Sequence, residues 1–155
     1  MNKIRVAVLC SGGGTNLQAI LDAQAAGTIA SGGVSLVVAD NASAYALERA
    51  KAAKVATFVA DKKQFPDRRV REELISAALE ERGIGLVVFA GFMTILSEAF
   101  TKKYDMRMIN VHPSLIPSFC GPGYYGLKVH EAALARGVKV TGATVHYVNE
   151  VCDGG

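Results

Sequence analysis

Short aliphatic runs alternate with amphipathic stretches along the chain. Residues 4–10, 34–39, 55–60, 86–90 and 107–111 are mostly apolar, the pattern of strands covered on both sides. Between them, apolar residues recur at helical spacing. One helix is predicted from the glycine string at 12–14 to about Ala26, and a second from Ser43 as N-cap to Ala53, with Ala46, Leu47 and Ala50 on one side. A third spans 68–82, capped by Asp67, with Val70, Leu74, Ile75, Ala78 and Leu79 on one stripe and Gly83 as its stop. Ser97 caps a fourth that runs to about Tyr104, and 128–136 form a fifth that ends at Gly137. Residues 140–148 alternate in part and predict a last strand. With no repeat and no linker, the expected architecture is one α/β domain of three layers around a mostly parallel sheet with right-handed crossovers. Loops at the carboxyl ends of its strands are the expected place for a site.

Polar residues gather at those strand ends. After the first strand comes Ser11-Gly12-Gly13-Gly14-Thr15-Asn16, in which the glycines let the backbone turn sharply and aim its N–H groups into one concavity. The helix start adds unpaired N–H groups and a partial positive charge, and Thr15 or Asn16 can cap it, so the loop suits a phosphate group. No Gly-Lys-Ser/Thr follows, which excludes a Walker A loop, and Leu17 stands where a dinucleotide fingerprint has its third glycine. A plain tight turn is the competing reading. At the end of the last of the five runs, Asn110 and His112 are two apart, so an extended segment projects an amide and an imidazole to the same side. Pro113 and Pro117 then force the chain out of the sheet. Met93, Ile95 and Leu96, beyond the fourth run, either pack as core under a helix or wall a pocket for a flat ring.

Composition narrows the classes. The chain has 155 residues, half of them apolar, enough for a real core, and its net charge of +3 is too small to define a partner. The basic cluster Lys62, Lys63, Arg68, Arg69 and Arg71 is mixed with Asp61, Asp67, Glu72 and Glu73, which reads as a solvated helix face and not as a nucleic-acid surface. Cys10, Cys120 and Cys152 have neither disulfide parity nor metal spacing, and a reducing compartment follows. Cys152, beside Asp153, has no neighbour in the sequence that would mark an activated thiolate. His130 reads as an exposed helix residue and His146 as a structural strand histidine, so no metal site is expected. The opening segment has too short an apolar run for a secretory signal, and no run is long enough to span a membrane. The expectation is a cytoplasmic protein that binds neither membrane nor nucleic acid.

The loop at 12–16, the segment Gly91-Phe92-Met93-Thr94-Ile95-Leu96, the string Asn110-Val111-His112-Pro113-Ser114-Leu115-Ile116-Pro117 and the closing Asp153-Gly154-Gly155 resemble, in this order, the motifs of the phosphoribosylglycinamide formyltransferases. The resemblance implies a Rossmann-like formyltransferase fold, a single domain over residues 1–155, and formyl transfer from 10-formyltetrahydrofolate, a co-substrate, to the amine of glycinamide ribonucleotide. It implies Asn110, His112 and Asp153 as the catalytic trio, and Gly14, Thr15 and Asn16 as the ribonucleotide's phosphate loop. Folate contacts fall on Arg68, Met93, Thr94, Ile95, Leu96 and Asn110. Thr94 stands where some members carry arginine. The family also continues past its Asp-Gly-Gly with further strand and helix, so a continuation is expected. Asp153 would favour the imidazolium of His112 and fix its tautomer. The partners implied are small molecules, with the chain a monomer or homodimer. Two alternatives stand beside this one: another formyl-folate enzyme (a formyltetrahydrofolate hydrolase or a methionyl-tRNA formyltransferase), and a non-catalytic phosphate- or nucleotide-binding module. The phosphate-type loop disfavours the former. The latter would leave Asn110 and His112 purely structural.

Overall fold

The structure, a computed structural model, describes residues 3–155. Met1 and Asn2, included in the expected domain and in the reading of the opening segment, lie outside the described residues. The chain forms two compact units, one ending at Leu96 and the other Ser97–Gly155.

The first unit contains strands β1 (Ile4–Cys10), β2 (Gly32–Ala39), β3 (Ala56–Val59) and β4 (Leu86–Phe89), and helices α1 (Thr15–Ala25), α2 (Ala46–Ala52) and α3 (Arg68–Glu81). Its strands are parallel in the order β3-β2-β1-β4. β1 lies inside this array, which is why its sequence has no polar face: Ala7, Val8, Leu9 and Cys10 are wholly inaccessible. The register of β1 against β2 slips between Val6 and Ala7, where Ser35 is the extra residue. This bulge explains an apparent break of alternation in β2. Val34 lies beside Val6 and Val37 beside Val8, and all four share one core cluster with Leu17 and Leu21 of α1 and Ala46 and Ala50 of α2.

The helix boundaries depart from the sequence pattern at particular side chains. Ser43 does not cap α2, because Asn41 Oδ1 accepts from both the Ser43 amide (3.0 Å) and its hydroxyl (2.8 Å), and the helix starts three residues later. Asp67 does cap α3, accepting from Arg69 N at 2.8 Å. The buried stripe of α3 is rotated from the expected one. Val70 is exposed, while Arg71 and Glu72 are buried. The Arg71 guanidinium turns inward to the carbonyls of Phe65 and Pro66, so this part of the basic cluster is not a solvated face.

The second unit contains α4 (Glu98–Lys103), β5 (Met108–His112), α5 (Leu127–Arg136) and β6 (Thr144–Tyr147). Ser97 caps α4 by accepting from Phe100 N, as its sequence position predicts. β5 ends at His112, immediately before Pro113. β6 is shorter than the predicted 140–148 and pairs antiparallel with β5, with Asn110 opposite His146 and His112 opposite Thr144. Residues 113–126 form the irregular connection that the turn residues demand, and Thr144 Oγ1 ties it down by donating to Ser114 O and accepting from Ile116 N. No helix among the described residues is long and apolar enough to cross a membrane.

Replacing Asp67 with Ala removes the cap of α3 and is expected to lower stability by about 1 kcal/mol, measured by urea denaturation; no change would mean that the first turn finds another acceptor.

Candidate active site

The glycine loop is held from one side. Gly12 O accepts from Ala46 N (3.0 Å) and Gly13 O from Arg49 Nε (2.8 Å), while Arg49 Nη1 also reaches Gln18 Oε1 (3.1 Å). Gly14 is the N-cap of α1 at φ 70°, and no side chain caps the helix, so neither Thr15 nor Asn16 plays the capping role expected of it. Both are exposed in the first turn, where helix geometry leaves the backbone N–H groups without intrahelical partners. A Cβ on Gly14 would lie 2.8 Å from the Ala46 Cβ, so the position requires glycine on steric as well as conformational grounds.

A narrow cleft lies beyond the strand ends of the same unit, walled by Asp40, Arg68, Arg71, Phe92, Thr94 and Leu96 among others. Of the expected folate contacts it brings together Arg68, Thr94 and Leu96. Met93 and Ile95 are exposed and off its lining. Burial alternates through the segment: 92, 94 and 96 line the cleft, while 93 and 95 are exposed. Arg68 is only loosely paired, its Nε 3.8 Å from Glu72 Oε1. Arg71 Nε is a buried donor without a partner.

The sequence reading passed over Asp40, yet it is 3% exposed at the end of β2 and accepts from Thr94 Oγ1 (2.5 Å) and Lys62 Nζ (2.9 Å). Burial alone would raise this carboxyl, but the hydrogen bond from Thr94, the neighbouring Ser11 hydroxyl and the Lys62 ammonium with its charge outweigh it and hold the carboxyl below its ordinary value. The signal available in the sequence was a lone acid closing an apolar run.

In the second unit four side chains converge. His112 is buried, with Nε2 2.8 Å from Phe119 O and Nδ1 3.5 Å from Asp153 Oδ2. A carbonyl can only accept, so Nε2 carries the proton of that contact and Nδ1 turns to the carboxylate. His146 Nδ1 lies 2.8 Å from Tyr147 O and is protonated by the same reasoning, which leaves Nε2 as an acceptor for Asn110 Nδ2 at 3.1 Å. Asp153 Oδ1 is 3.7 Å from His146 Nε2, and Oδ2 accepts from Gly121 N at 2.8 Å. Of the expected trio, His112 lies directly against Asp153, and Asn110 joins the group through His146. His146 belongs to the cluster, and reading it as only a strand histidine missed this, because its place opposite Asn110 depends on an antiparallel register that the sequence does not display.

Neither buried cysteine chemistry nor an activated thiolate is present at these sites. Burial, helped by the Asp40 charge, pushes the Cys10 thiol up to about 12. Cys152 is also raised, by burial first and then by the Asp153 charge.

The sequence and its fold have close counterparts. The sequence model described as Formyl transferase matches residues 4–155, and the chain belongs to that family. It is 39% identical over 151 residues to the phosphoribosylglycinamide formyltransferase of Haemophilus influenzae, covering 97% of this chain and 68% of the relative. It is 42% identical over 154 residues to the trifunctional purine biosynthetic protein adenosine-3 of Gallus gallus, covering 99% of this chain but only 15% of that much longer protein. The crystal structure of glycinamide ribonucleotide transformylase 1 from Symbiobacterium toebii superposes with a TM-score of 0.88 at 41% identity, over 99% of this chain and 69% of that one. This solved structure bears out the expected α/β formyltransferase fold.

The lowered Asp40 carboxyl has a defined pH signature. Its stabilisation is fully present above the ordinary value of 3.8 and is lost as pH falls through the lower folded-state value. The stability gap between the wild type and Asp40→Asn is expected to stay level from neutral pH to about 4 and to close below it, as read by urea melts at stepped pH; a gap that closes near neutrality would contradict the assignment.

Proposed function

We propose that this chain transfers the formyl group of 10-formyltetrahydrofolate to the amine of glycinamide ribonucleotide, a step of purine biosynthesis. The observation that carries the reading is the cluster in which His112 and His146 both lie against the Asp153 carboxylate and Asn110 donates to His146. The family and the names of the relatives support it.

The amine attacks the formyl carbon, the carbonyl oxygen becomes an oxyanion, the bond from that carbon to the folate nitrogen breaks, and a proton moves from the attacking to the departing nitrogen. Asn110 Nδ2 has two hydrogens. One goes to His146, and the other is available to the developing oxyanion. His112 supplies a second, charge-assisted donor when the Phe119 carbonyl releases Nε2, with Asp153 stabilising the charge at Nδ1. Through water, the same ring moves the proton between the nitrogens. Formyl transfer written this way needs no metal.

Gly14, Thr15 and Asn16 hold the ribonucleotide phosphate on their backbone N–H groups and the α1 N-terminus. Arg68, Thr94 and Leu96 receive the folate, and the segment that carries Met93 and Ile95 adds backbone contacts. The unpartnered Arg71 Nε would find its acceptor in a ligand that enters the cleft. The free cysteines fit a cytoplasmic location.

The test is formyl transfer by the purified full-length protein, with the formylated ribonucleotide detected by mass spectrometry. Absence of product with nucleotide binding intact would favour a binding module. His112→Ala is expected to lower kcat by about 10²–10⁴ while ribonucleotide binding persists; equal loss of both would make the residue structural.

A further inference from the structure

We propose that Arg49 is a positioning residue for the phosphate loop, one that holds the backbone N–H groups of Gly13 and Gly14 toward the ribonucleotide's phosphate. The proposal rests on the function above, which assigns this loop to the ribonucleotide. Arg49 stands on α2, three residues after Ala46. The Ala46 amide donates to Gly12 O (3.0 Å), and Arg49 Nε donates to Gly13 O (2.8 Å). The peptide bonds that follow these two carbonyls are trans, and a trans peptide directs its C=O and its N–H to opposite sides. Two successive carbonyls drawn toward α2 therefore turn the N–H groups of Gly13 and Gly14 away from it. The Gly13–Gly14 peptide has no Cβ on either side to restrict its rotation, so the bond from Arg49 sets its direction. A rotated peptide would aim a carbonyl oxygen, in place of an N–H, at the phosphate.

The geometry requires arginine. Nε and Nη1 are donors fixed in one plane, and while Nε reaches Gly13 O, Nη1 reaches Gln18 Oε1 on α1 at 3.1 Å. The Gln18 amide is set in turn by donation from its Nε2 to Asp22 Oδ1 (2.8 Å). The guanidinium lies over the Tyr45 ring, 5.0 Å from its centroid. One side chain thus ties the loop to both helices. A lysine would keep the charge but carries a compact ammonium on a flexible stem, which cannot hold both acceptors in a fixed plane. The carbonyl, the amide oxygen and the ring are all neutral, so none of them cancels the positive charge, which adds to that of the α1 N-terminus. Every one of these contacts lies on the loop, α1 or α2, so their loss falls on the ribonucleotide and not on the folate.

The experiment measures kcat and both KM values for the full-length protein and its Arg49→Lys and Tyr45→Leu variants, together with the Kd of ribose 5-phosphate by calorimetry. Arg49→Lys is expected to raise the glycinamide ribonucleotide KM and the ribose 5-phosphate Kd about tenfold, with kcat and the folate KM little changed. Tyr45→Leu removes only the ring beneath the guanidinium, at a residue 60% exposed, and should raise the same two constants about threefold. It serves in place of Arg49→Lys if that variant does not fold. A purely structural Arg49 would lower the melting temperature and the active fraction with both constants unchanged, and that result overturns the proposal. An equal rise in both KM values overturns it as well. An inactive wild type whose binding of ribose 5-phosphate is weakened tenfold by Arg49→Lys overturns formyl transfer and supports the role of Arg49. An active wild type with an unchanged ribonucleotide KM in Arg49→Lys overturns only that role. A wild type that neither reacts nor binds ribose 5-phosphate overturns both.

Discussion

Complete burial of β1 is the constraint on which the first unit depends. With β2 on one side and β4 on the other, Ala7 to Cys10 are wholly inaccessible and contribute no polar side chain beyond the Cys10 thiol, while the strand is paired along both edges. Polar chemistry has to begin where the strand stops. It does so at Ser11, whose amide and hydroxyl immediately engage the segment after β4. The Ser35 bulge is part of the same constraint, because it keeps Val34 and Val37 on the face where α1 and α2 pack.

Both candidate sites use one device: a carboxylate, nearly enclosed, at which several donors from separate stretches of chain meet. At Asp40 the donors are the Thr94 hydroxyl and the Lys62 ammonium. At Asp153 the Gly121 amide donates, and the imidazoles of β5 and β6 lie against the carboxylate. A carboxylate can receive up to four hydrogen bonds and offers none, so it tolerates donors of different chemistry without a conflict of roles. Such a hub costs desolvation, and the donors at Asp40 more than offset it, which is why that carboxyl stays low despite burial.

Much of this was legible in the sequence, because strand burial and helix caps are local matters. The first strand, the caps Asp67 and Ser97, the exit from the sheet after His112 and the glycine loop all follow from neighbours in the chain. The failures share a different cause. Ser43 lost its capping role to a side chain two residues away, Arg71 turned inward to carbonyls of the preceding loop, and His146 and Asp40 found partners far along the chain. In each case a polar side chain selected one of several available partners, and hydrophobic periodicity has no information about that choice. The alternation at 92–96 could have been read, and it would have separated Thr94 and Leu96 from Met93 and Ile95.

Asp153 occupies left-handed backbone at φ 56°, in the turn closed by Gly154 N on Val151 O. Among residues with a side chain, aspartate and asparagine reach that conformation most readily, because their short polar groups relieve the crowding. Under the proposed function, the backbone filters mutations at this codon before catalysis does, and the charge then filters the survivors. Asparagine passes the first sieve and fails the second, while glutamate keeps the charge and meets the conformational penalty. Drift at this position therefore has almost no neutral path, whatever pressure acts on the rest of the chain.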